Sequence, residues 1–201
     1  MQQRISEKIR KTSETEISVK LNIDGSGASK ITSGIGFLDH MLELFAFWGL
    51  FDLEIIVNKG DFNIDIHHTN EDVGIVLGQA FKDALADKKG IARLGSFSVP
   101  MEDVTAYATV DISGRGSFKL TMAQSTLVQD QGGYNFEYAE HFFEAFAKQL
   151  GMNLNIRIDN PNPDLHATLE PVFKALGKAL DIATQIDPRR KGIPSTKGVI
   201  D

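Results

Sequence analysis

Apolar and polar residues alternate over Glu16 to Asn22, a period of two that predicts a strand with one buried face. A glycine-bearing turn, Asp24-Gly25-Ser26-Gly27, leads to a short second strand, so a hairpin is expected there. Beyond Gly34 and Gly36 the period lengthens. Phe37, Met41, Leu44, Phe45 and Trp48 recur at helical spacing, with Gly49 closing the helix. Leu53 to Val57 predicts a strand, and Val73, Val76, Leu77, Ala80 and Phe81 mark one face of a helix from about His68 to Leu85. The same order then returns. Val104 to Ile112 and Ser117 to Thr121 predict strands around Ser113-Gly114-Arg115-Gly116, which on its own reads equally well as a hairpin turn. Phe136 to Leu150 predicts a helix, Asn153 to Ile158 a strand and Leu165 to Ile186 a long final helix. The pattern gives an α+β fold of two half-domains, residues 1–92 and 93–201, each a sheet with two helices on one face.

Composition narrows the function classes. At 201 residues, 42% hydrophobic and 24% charged, the chain can bury a substantial core. Twenty-one basic against 27 acidic residues give a net charge of −6, the wrong sign for a non-specific nucleic-acid binder. An anion site must therefore be local. The tail 187–201 supplies one candidate, with Arg189, Arg190, Lys191 and Lys197 set among Pro188, Gly192, Pro194 and Gly198. With no cysteine, disulfides, thiol nucleophiles and thiolate-bound zinc are excluded. No apolar run approaches the roughly 20 residues of a membrane span, and Met1 to Glu16 lacks the apolar stretch of a signal peptide. A cytoplasmic protein with neither a nucleic-acid nor a membrane partner is expected.

The five histidines carry the chemistry. Each half holds an acid-flanked cluster: Asp39-His40 with His67 and His68, then Glu140-His141 with His166. His67 with Glu71 and His166 with Glu170 are spaced i, i+4, which makes them side-by-side neighbours on a helix and lets each pair chelate a divalent ion. One such pair alone is commonly a surface ion pair; two, each preceded by a histidine at similar distance, favour metal. His68 points about 100° away from His67, so the pair implies two metals or one shared with another surface. Imidazole and carboxylate without thiolate suit Mn²⁺, Fe²⁺, Zn²⁺ or Ni²⁺. Asp72, beside Glu71, reads as a residue favouring the helix N-terminus.

Five segments then carry a likeness. Phe37-Leu38-Asp39-His40-Met41-Leu42, Gly60-Asp61 leading to His67-His68-Thr69-Asn70-Glu71-Asp72, Val110 to Arg115, Phe173-Lys174-Ala175 and Pro194-Ser195-Thr196-Lys197-Gly198 together resemble the imidazoleglycerol-phosphate dehydratase family of histidine biosynthesis. The resemblance implies a duplicated half-domain of the ribosomal protein S5 domain 2-like type. It also implies two manganese ions per subunit and a homo-oligomer, a 24-subunit shell built from trimers. By position, His40, His67, His68, Glu71, His141, His166 and Glu170 would be metal ligands. Glu14 would be the acid/base group beside the ligand carboxylates Glu71 and Glu170. Arg93, Arg115, Ser195 and Lys197 would bind the phosphate of the small-molecule substrate, with Lys174 an addition to them. The implied reaction is a hydro-lyase step from imidazoleglycerol phosphate to imidazole acetol phosphate.

Some positions depart from the family pattern. Ala167 stands where a second histidine is usual, with Asp164 or water as a replacement ligand. Phe47-Trp48 and Asn155 stand where Arg-His and His are common, Glu102-Asp103 inverts the usual order, and the loop Asp159 to Asp164 is rich in proline. The alternative these departures leave open is a divergent relative: a metal-binding assembly protein without catalysis, or a lyase for another phosphorylated substrate.

Overall fold

A computed structural model describes residues 4–122 and 128–200. The first half runs β1 (Ile5–Lys11), β2 (Glu16–Asn22), β3 (Ser29–Thr32), α1 (Gly36–Gly49), β4 (Asp52–Lys59) and α2 (His67–Leu85). The second repeats the order: β5 (Leu94–Met101), β6 (Val104–Asp111), β7 (Ser117–Met122), α3 (Phe136–Leu150), β8 (Asn153–Asp159) and α4 (Leu165–Thr184). The two sheets have matching strand orders, β1-β2-β4-β3 and β5-β6-β8-β7. This is the duplicated α+β architecture expected. The ends of the expected half-domains, residues 1 and 201, lie outside the described residues.

The two expected hairpins are not hairpins. β3 pairs with β4 in parallel, and β7 pairs with β8 in parallel. Parallel neighbours need a crossover, and α1 and α3 supply it, making each a strand–helix–strand unit. Side-chain chemistry directs the first turn. The Asp52 carboxylate at the start of β4 accepts from the backbone amides of Ser26 (2.8 Å) and Ala28 (3.2 Å), so the turn wraps β4 instead of folding back on β2. Those amide bonds, Ser26 first, hold the Asp52 carboxyl below its ordinary value despite some opposing burial. Helix α1 ends at Gly49 as expected, and Leu50, in the left-handed conformation (φ 58°), caps it.

Helices α1 and α2 lie over the first sheet, α3 and α4 over the second, and the helix layers meet as α1 on α4 and α2 on α3. One continuous core results. Its centre is a cluster of phenylalanines, with ring centroids 5.4 Å apart for Phe45–Phe51, 5.1 Å for Phe51–Phe81 and 5.6 Å for Phe81–Phe146. Each such pair adds about 1 kcal/mol beyond its buried area, and the last joins the two halves. No helix among the described residues is long and apolar enough to cross a membrane.

Candidate metal centres and anion groups

Close helix packing sets the positions of the histidines. On α2, a Cβ added to Gly74 or Gly78 would lie 2.7 Å from the carbonyl oxygen of Phe142 or Phe146 on α3. On α4, one added to Gly177 would lie 2.5 Å from the Phe45 carbonyl oxygen of α1. Only glycine admits backbones this near. Both helix pairs run in the same direction, which brings their histidine-bearing N-terminal turns together.

Two triads result, and each crosses the halves. In the first, His40 of α1 meets His166 and Glu170 of α4. The His40 and His166 ring centroids are 5.0 Å apart, His166 Nε2 is 2.6 Å from Glu170 Oε2, and His40 Nε2 is 3.8 Å from the same oxygen. In the second, His67 and Glu71 of α2 meet His141 of α3, with ring centroids 4.4 Å apart and His67 Nε2 3.6 Å from Glu71 Oε2. Within each triad the donor atoms all lie within 4.8 Å of one another. The i, i+4 pairs read from sequence are thus adjacent, but the grouping by half is corrected: His40 joins the second-half pair and His141 the first-half pair. That exchange is tertiary, so the spacing of histidines within one half carries no trace of it.

The surrounding contacts differ between triads. Burial tends to raise the Glu170 carboxyl, but hydrogen bonds from Lys174 and His166 outweigh it and hold the group below its ordinary value of 4.5. Lys174 therefore sits on Glu170, with its Nζ also 5.8 Å from the centre of the Trp48 ring. His141 has the Glu137 carboxylate 3.7 Å away. Asn70, within the His67-to-Asp72 motif, donates to the Tyr138 carbonyl (2.7 Å) and accepts from the Tyr134 hydroxyl (2.8 Å), fixing the start of α3 against α2.

A third group stands apart. His68 Nδ1 is 2.9 Å from Asp61 Oδ2 and 3.9 Å from Glu14 Oε2. The hydrogen bond to Asp61, aided by the charge of Glu14, raises the His68 pKa above 6.5. The loop carrying Glu14 is tied down by Asp72, whose carboxylate accepts from the Thr15 hydroxyl and pairs with Arg10 at 2.6 Å. Asp72 is therefore a tie between α2 and the β1–β2 loop, beyond any effect on the helix end. From the sequence Asp61 carries no assigned chemistry; its signal is its place in Gly60-Asp61, leading to the His67-His68 pair.

Ala167 is buried and belongs to neither triad. Asp164 belongs to neither triad; its carboxylate accepts from the Ala167 amide (3.1 Å) and caps α4.

The basic groups gather elsewhere. Arg93 holds Asp111 through two bonds (2.6 and 3.1 Å) and donates to the Pro194 carbonyl (2.9 Å), which brings the tail bearing Ser195 and Lys197 to the same place. Its own amide bonds the Ala183 carbonyl near the C-terminal end of α4. Arg115 lies in the loop beside the end of α3, where Gly114 donates to Gly151. Within one chain, triads and basic groups thus occupy opposite ends of the helices.

The family model for imidazoleglycerol-phosphate dehydratase matches residues 33–180. A protein of that name from Pelobacter propionicus is 51% identical over 196 residues, spanning 95% of this chain and 96% of its own. One from Trichlorobacter lovleyi is 47% identical, spanning 98% and 99%. The solved imidazoleglycerol-phosphate dehydratase of Staphylococcus aureus superposes with a TM-score of 0.79 at 33% identity, covering 91% of this chain and 99% of its own. The Pyrococcus furiosus structure gives 0.78 at 31%, covering 95% and 99%. Matched along nearly its whole length in both sequence and fold, the chain belongs to the imidazoleglycerol-phosphate dehydratase family.

Proposed function

We propose that the chain is a hydro-lyase of histidine biosynthesis that converts imidazoleglycerol phosphate to imidazole acetol phosphate, using divalent metal, Mn²⁺ first among candidates. The observation carrying this reading is the pair of imidazole–carboxylate triads, each with donor atoms close enough to share one ion. The donor set fits such an ion: two nitrogens and a carboxylate per triad and no thiolate. A bound metal supplies Lewis-acid activation of the substrate ring.

The chain's own groups do the rest. Glu14, exposed on its tethered loop beside His68, is placed to move a proton. Arg93, Arg115, Ser195 and Lys197 hold the phosphate through charge-assisted bonds and so orient the ring. Lys174 bonds one oxygen of Glu170 and helps hold its carboxyl below the ordinary value.

Geometry argues for a homo-oligomer. Ala183, which anchors Arg93, lies more than three turns beyond Glu170 on α4, roughly 20 Å along the axis. One small substrate is too short to join those ends, so a complete site takes its metal groups and phosphate groups from different copies. The family's trimer-based 24-subunit shell meets that need.

Two measurements test the reading. Manganese-loaded protein should form imidazole acetol phosphate, and chelation should abolish it; no product at saturating manganese refutes the activity. Glu170→Gln and Arg93→Ala should each be inactive alone, yet regain activity when unfolded together and reassembled as mixed oligomers. No recovery in oligomers shown to be mixed refutes the shared site. The divergent alternative rests on Ala167 first among the departures from the family pattern, and a panel of phosphorylated azoles and polyols separates it.

A further inference from the structure

His68 is the one histidine outside the triads, and its surroundings are specific. The Asp61 side chain is only 19% exposed, its carboxylate faces His68 Nδ1 at 2.9 Å, and its amide donates to the fully buried Thr69 hydroxyl at 2.9 Å. An ionised carboxylate can only accept, so a neutral ring beside it must carry its proton on Nδ1. Nε2 then keeps its lone pair, and it has no partner among the described residues.

We propose that Asp61 is the positioning residue of His68, fixing the Nδ1–H tautomer so that Nε2 is presented as a donor to a divalent cation. The donor role rests on the metal dependence proposed above; the tautomer does not.

The second half provides an internal comparison. There Asn162 donates its amide to the buried Thr168 hydroxyl, again at 2.9 Å, so the loop docks on its helix in the same way without a carboxylate. Asn162 Oδ1 instead accepts from the Asp164 amide at 2.9 Å. The residue before Thr168 is Ala167, where the first half has His68 before Thr69. Imidazole and acid are therefore present together in one repeat and absent together in the other. A carboxylate needed only to shape the loop would not follow the ring in this way; one that orients a donor would.

The test uses the full-length protein. Solid-state ¹⁵N NMR of sedimented, metal-free protein with labelled imidazoles, at a pH where His68 is neutral, should show Nδ1 protonated. Asp61→Asn should shift the ring toward the Nε2–H form. Manganese titration adds a double-mutant cycle. Asp61→Asn should weaken uptake at one class of site by about 10- to 100-fold, Asp61→Glu should recover part of the loss, and Asp61→Asn should have no further effect when added to His68→Ala. An Nε2–H tautomer in the wild type, or an equal loss in both backgrounds, overturns the proposal, the second because it marks a purely structural role. If no variant nor the wild type takes up manganese, the metal reading and the donor role fall together, and that outcome is separable from the tautomer result.

Discussion

Replacing Gly74 by alanine sets two opposed effects against each other. At an open helical position the change would stabilise by about 1 kcal/mol, because glycine is the poorer helix former. Here the new methyl would lie 2.7 Å from the Phe142 carbonyl oxygen and 3.3 Å from Ala145 Cβ. Neither neighbour is a flexible side-chain end, so α2 and α3 must separate, at an overpacking cost of about 1–3 kcal/mol. Packing wins by roughly 1 kcal/mol, a fall of about 2–4 °C in Tm for a domain of this size. The same displacement moves His67 from His141, so manganese affinity should fall as well. Gly36→Ala is the control: its added methyl meets nothing within 4 Å at the first turn of α1, and it should leave Tm unchanged or slightly raised. Thermal unfolding of metal-free protein and manganese titration read both effects. If Gly74→Ala matches Gly36→Ala in stability, the helix approach does not hold the second triad together.

Other expectations follow from individual contacts. Asp72→Ala removes the partner of Arg10 and Thr15 and should cost about 2 kcal/mol in urea unfolding, while loosening the Glu14 loop to proteolysis. The depressed Glu170 carboxyl contributes stability that is full above its ordinary value of 4.5 and is lost as pH falls through its lower folded value; Glu170→Gln should flatten that acid limb. For His68 the sign reverses: the Asp61 contact stabilises below 6.5 and fades as pH rises through the raised value, a dependence that Asp61→Asn should remove. Arg93→Ala frees the Pro194 carbonyl, so the tail should be cut faster by trypsin, a readout independent of the variant's lost activity.

Periodicity revealed the helices and inner strands because their buried faces are apolar. It gave no sign of β1 and β5. In β1 the one buried position is Ser6, whose hydroxyl bonds the Ala80 carbonyl of α2; in β5 it is Gly95, where an added Cβ would lie 1.9 Å from the Ala179 carbonyl oxygen of α4. Where a helix backbone rides directly on a strand, small residues replace the hydrophobic alternation that marks one. The site shows a similar division. The i, i+4 chelating pairs follow from helix geometry alone, as does the separation of His68 from His67. The partners His40 and His141 depend on which helices touch, written only in glycines at contact points, and the role of Asp61 depends on how its loop docks on Thr69.

Because both histidine–glutamate triads draw on the two repeats, a cation seated in either would act as a rivet between the two helix layers. Neither repeat, made as a separate fragment, would own either of these two triads, and stripping the ions would leave the joint to the phenylalanines, the Asn70 bonds and the close helix packing.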